Sequence, residues 1–127
     1  MDLAARERIT LVEVLERTAS FDVFSSTVQA AVQRLESEGV RSLISIQFHA
    51  RPEDTEAGAV ITFADSREVM EHIRRISGWP EFKALLGVAR PVDVRVYGRL
   101  GDEAHAWLRT MNAVSKVFES PVAGFVR

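Results

Sequence analysis

The sequence predicts one α+β domain whose elements follow the order β-α-β-β-α-β, and three observations carry that expectation. The stretch from Ala57 to Leu100 divides into an apolar β-branched run (AGAVITFAD), a helical segment (SREVMEHIRRISGWPEFKALLGVAR) and an alternating run (PVDVRVYGRL). Residues 40–50 (VRSLISIQFHA) alternate and reach the 59–63 run through the charged turn RPEDTE, the pattern of a hairpin. Residues 22–38 place Val28, Ala31, Val32 and Leu35 on one helical stripe that stops at Gly39.

Taken in order, residues 9–15 (ITLVEVL) admit two readings. As a strand they form a β-rich run whose alternation breaks at Val12; as a helix they put Leu11, Val12, Val14 and Leu15 on one side. The strand is preferred because the order of elements then closes into the ferredoxin-like unit, a four-stranded antiparallel sheet with two helices on one face. For the helix over 22–38, Ser26 and Gln29 suit a cap. In the hairpin, Ile44, Ile46, Phe48 and Ala50 share one face, and Leu43, Ser45, Gln47 and His49 share the other.

Asp65 followed by Glu68 has the form of a capping box, so a helix starts there with Val69, Ile73 and Ile76 on its stripe. Gly78 stops it, and Pro80 suits the first position of a short second helix. Pro91 excludes further helix, and Val92, Val94 and Val96 then alternate with Asp93, Arg95 and Tyr97. The apolar faces Ile44/Ile46/Phe48 and Val92/Val94/Val96 are expected under the helices. Trp107, Met111, Val114 and Phe118 lie at helical spacing and predict a last helix over 102–119, with residues 122–126 a short final strand. The whole chain, 1–127, reads as one domain with its core at about 8–99 and a helical extension at about 101–127.

Composition narrows the function. The 127 residues suffice for one real core; 46% are apolar and 27% charged, the balance of a soluble globular protein. A net charge of −2 leaves no electrostatic footprint for nucleic acid or an anionic membrane. The lack of cysteine excludes disulfides, thiolate metal sites and cysteine nucleophiles. Apolar runs are too short to span a bilayer, and a charged start (Asp2, Arg6, Glu7, Arg8) without an apolar signal core gives a cytoplasmic expectation. The run GAVITF is similar to the central strand of RNA-recognition modules. That module needs aromatics where this chain has Gly58 and Val60, and a basic residue where it has Glu56.

The central stretch resembles the antibiotic-biosynthesis-monooxygenase branch of the dimeric α/β-barrel superfamily. The likeness rests on a strand ending in an aromatic (ITF), a polar turn (ADSRE), a helix with a histidine (VMEHI), an aromatic-bearing segment (GWPEFKALL) and a final alternating strand (PVDVRVYG), over roughly residues 8–99. It implies a homodimer whose two sheets face each other as a barrel. Where such proteins are enzymes, it implies an apolar substrate held between sheet and helices, with no cofactor. The strand-end aromatic is Phe63 where the family often has tryptophan. The asparagine–tryptophan–histidine set of heme-degrading members is missing, which disfavours heme degradation.

A cofactor-independent oxygenase needs a base and a dry pocket. His72 is the candidate base, and Trp79, Phe82, Phe63 and Phe48 are the candidate substrate-binding residues. The blander alternatives stay open: His72 as a boundary histidine, and the aromatics as plain core. Arg95 and Tyr97 share the polar sheet face, where a subunit-interface role is expected. The three histidines are scattered, and no spacing resembles a metal site. Two functions remain in view: an enzyme acting on a small aromatic or polyketide-like compound, and a non-catalytic module binding a small apolar ligand or serving as a structural homodimer.

Overall fold

Among the described residues five strands form one sheet in the order β2-β3-β1-β4-β5, and β1 (Ile9–Arg17), the segment with two readings, lies at its centre. The computed structural model describes residues 7–127; Asp2 and Arg6 of the charged start lie outside the described residues. β1 is followed by α1 (Phe21–Glu38), β2 (Leu43–Ala50), β3 (Glu56–Phe63), α2 (Ser66–Ile76), α3 (Pro80–Leu86), β4 (Ala89–Tyr97), α4 (Asp102–Thr110) and β5 (Val114–Phe118). The first four strands pair antiparallel, so this is the ferredoxin-like α+β fold. A helical β1 would have removed the strand that both β3 and β4 need as partner.

The ends of the helices follow local chemistry. Ser20, not Ser26 or Gln29, caps α1, accepting from Val23 N at 3.2 Å. Gly39 closes it in the left-handed conformation at φ 66°. Asp65 caps α2 by accepting from Glu68 N at 3.1 Å, while the Glu68 side chain leaves Oε2 buried and unpartnered, so only half of the box forms. Pro80 opens α3 as expected.

Three expectations are corrected. Ile44 and Val92 were expected under the helices and are 41% and 39% exposed. Each falls where the register shifts, between Leu43 and Ser45 in β2 and between Asp93 and Pro91 in β4. A bulge residue has no partner and turns out of the alternation. The helix expected over 102–119 ends at Thr110, and residues 114–118 form β5, parallel to β4. The free edge of β4 offers a ladder to the β-branched Val114 and Val117, and pairing there outweighs the helical spacing. Residues 122–126 form no strand, and Val122 is 99% exposed. Among the described residues no helix is long and apolar enough to cross a membrane.

The helices cover one sheet face. On it, Ile9, Leu11, Ile61, Phe63, Val94 and Val96 pack with Val69 of α2 and with Ala104 and Leu108 of α4. A second cluster joins Leu15, Ala57, Ala59 and Ala89 to Phe24 and Val28 of α1. The other face carries Thr10, Val12 and Val14 of β1 beside Thr62 and Val60 of β3 and Tyr97 and Arg95 of β4.

Candidate functional site: an apolar cavity with two titratable groups

The site begins with the alternation of β1. Ile9, Leu11, Glu13 and Leu15 all point to the helical side, so a carboxylate interrupts an apolar row. Across the ladder Glu13 pairs with Ala59 on one side and Val94 on the other, both fully buried. Ala89 of β4 and Ala31 of α1 are small side chains that border a space beneath α1 and α3. This space is a cavity of about 160 Å³. An engineered apolar cavity of about 150 Å³ holds benzene, so the space suits a single ring or a body of similar size.

Each helix contributes a wall. α1 presents Ala31, Val32 and Leu35; α2 presents Val69, His72, Ile73 and Ile76; α3 and its cap present Trp79, Phe82, Leu85 and Leu86. Trp107 and Met111 approach from the end of α4. Arg34 fastens α1 to α3 from outside. Its guanidinium lies 4.3 Å from the centroid of the Trp79 ring and bonds Glu81 at 3.0 Å and Glu38 at 3.1 Å. Leu86, 60% exposed, places the mouth beside α3.

Among the described residues that line the cavity, two titrate, Glu13 and His72. His72 is buried among apolar neighbours, with the Phe63 ring edge-on at 5.3 Å, and its Nδ1 has no partner. Burial, with Arg75 nearby, pushes its pKa down to about 4, so the imidazole is neutral at ordinary pH. Glu13 forms no hydrogen bond or ion pair among the described residues, and burial pushes its carboxyl up to about 7. A carboxyl and a neutral imidazole therefore share one largely apolar cavity.

His72, Phe63, Phe48, Trp79 and Phe82, the residues singled out from the sequence, all line this cavity. Glu13 was missed, although its parity with Ile9, Leu11 and Leu15 marks it. The remaining polar candidates lie elsewhere. Tyr97 stacks on Phe118 at 5.4 Å on the opposite face, and Arg95 is held by Asp93 at 3.1 Å. His49 is exposed on the same outer face, and His105 lies 3.5 Å from Glu119. Among the described residues no group of three metal-ligating side chains converges.

No family model and no curated protein matches the chain by sequence. Solved structures match it by fold. The crystal structure of MupZ from Pseudomonas fluorescens superposes with a TM-score of 0.72, covering 93% of this chain and 95% of its own at 13% identity. SnoaB, a cofactor-independent oxygenase from Streptomyces nogalater, gives 0.60 over 75% of this chain and 95% of its own at 11% identity. What is shared is the fold. Both neighbours share the ferredoxin-like arrangement with this chain.

Proposed function

We propose that the chain is a cofactor-independent, monooxygenase-like enzyme that draws a proton from a small aromatic or polyketide-like compound held in the apolar cavity. The observation that supports this reading most is the confinement of two titratable side chains, Glu13 and His72, within otherwise apolar walls. Carbanion chemistry with dioxygen asks for a base and for exclusion of water. In the net reaction a methylene carbon gives up two hydrogens. Dioxygen supplies one oxygen atom to the new carbonyl and leaves with both hydrogens as water.

In this reading Trp79, Phe82, Phe63 and Phe48 hold the substrate, and His72 works within reach of its polar atoms. Two copies pair through the outer sheet face, where Val60 is 36% and Tyr97 48% exposed in a single copy and Thr10 and Val12 lie between them. A second sheet would cover these side chains. A second reading, a binding module without catalysis, draws on the weak basicity of His72.

Native mass spectrometry of the protein taken from its own cells tests the proposal, followed by dioxygen uptake with the compound so identified. A dimer carrying a small aromatic mass, and uptake without added metal or cofactor, is the expected result. A dimer with a bound compound that consumes no dioxygen favours the binding module, and a bare monomer contradicts both.

A further inference from the structure

The cavity holds two groups able to move a proton, Glu13 on the sheet side and His72 on the α2 side. We propose that Glu13 is the proton acceptor, and that its substrate is a single-ring compound with an acidic C–H beside a carbonyl oxygen that His72 holds. This rests on the cavity being the active site.

Glu13 stands at the middle of the central strand between Leu11 and Leu15, flanked by Ala59 and Val94. Glu13 is half-buried, and a carboxylate turned towards apolar walls without a partner loses hydration that nothing returns. Among the described residues Glu13 has none, and its side chain lines the cavity. Around it, β3 and β4 offer alanine and valine, α1 and α3 offer apolar side chains, and α2 alone brings charge or titration, through His72 and, behind it, Arg75. No structural ion pair accounts for the carboxylate. A ligand that donates a proton to it does.

The two groups differ in what they offer such a ligand. Glu13, raised to about 7, is a base poised near neutral pH. His72, lowered to about 4, is a poor base, but its neutral ring has one N–H donor and one acceptor. In the step itself the C–H bond breaks and the proton passes to a Glu13 oxygen. The electron pair moves onto the carbonyl oxygen as an enolate, which the His72 N–H stabilises. One negative charge is present before and after, displaced from carboxylate to enolate, so the cavity never holds a second charge. The cavity of about 160 Å³ sets the size at one ring.

Phenylacetone in deuterated water is the probe, since exchange at its benzylic carbon reports proton abstraction without any oxidant. The wild-type protein should accelerate exchange, with a rate that rises through about pH 7 and then levels. Glu13→Gln should lose about 100-fold or more of that rate while ligand-observed NMR still shows phenylacetone bound. Glu13→Asp should retain the pH step at a reduced rate, and His72→Gln should slow exchange without removing the step. Exchange at the wild-type rate in Glu13→Gln, or a step that vanishes only in His72→Gln, overturns the assignment. Phenylacetone bound by the wild-type protein without accelerated exchange also overturns it and leaves a binding cavity. Failure of phenylacetone to bind at all overturns the cavity reading together with it.

Discussion

The two ends of the inner sheet face are built from the same strands and covered by helices of the same kind, yet one is solid and the other hollow. At the solid end Ile9, Val94 and Val96 meet Leu100, Ala104 and Leu108, and none of these side chains borders the cavity. At the hollow end Leu15 of β1 and Ala89 of β4 border the cavity, and α1, α2 and α3 arch over it. Glu13 lies at the seam between the two clusters, where a carboxyl reaches the hollow without disturbing the packed layer.

Truncation should separate the two ends most sharply. Ile9→Ala removes a side chain that is 1% exposed and should lower stability by about 2–5 kcal/mol in urea unfolding. Leu85→Ala, beside the existing cavity, should lower it by less than about 2 kcal/mol because it enlarges a space already there. Equal losses would break the distinction.

The seam should show in the pH dependence of stability. Glu13 is raised from 4.5 to about 7, so the folded chain keeps a proton that the unfolded chain has released. Its contribution is whole below 4.5 and is lost as pH rises to about 7. His72 is lowered from 6.5 to about 4, so the unfolded chain takes up a proton first and stability falls as pH drops through that range. The two slopes oppose each other between 4.5 and 6.5. Relative to wild type, Glu13→Gln should tilt stability upward with pH and His72→Gln should tilt it downward, each by roughly 3 kcal/mol over its full range. Tilts of the same sign in urea unfolding would contradict the two assignments.

Filling the hollow is a gentler change. Ala31→Phe should alter stability by less than about 1 kcal/mol, since the ring enters empty space, while binding of a single-ring ligand measured by calorimetry is lost. Smallest of all, Arg34→Ala releases the contacts to Trp79, Glu81 and Glu38 on the surface and should lower stability by less than about 1 kcal/mol. A larger loss would make the outer clamp, and not the packed end, the support of the cavity roof.

Much of this was legible along the chain. The hairpin, the caps at Asp65 and Pro80 and the stop at Gly39 each follow from a few neighbouring residues, and the ferredoxin-like order follows from them. The bulges at Ile44 and Val92 were not legible, because a bulge is set by the partner strand. Nor was β5, since Trp107, Met111, Val114 and Phe118 fit a helix equally well until the free edge of β4 is present. The cavity walls His72, Phe63, Phe48, Trp79 and Phe82 stood out as residue types. Glu13 was hidden because a charge in ITLVEVL reads as interrupted alternation. The cavity itself depends on residues of β1, β4, α1, α2 and α3 converging, Ala31 and Ala89 among them, which no single segment announces.

The hollow end is expected to take a ligand and the solid end is not. Methyl-labelled NMR with phenylacetone as titrant tests it most directly. The methyl signals of Ala31, Leu15 and Leu85 should shift and saturate, while those of Ala104 and Leu108 stay in place. Signals that stay fixed throughout, or that shift first at Ala104 and Leu108, would contradict it.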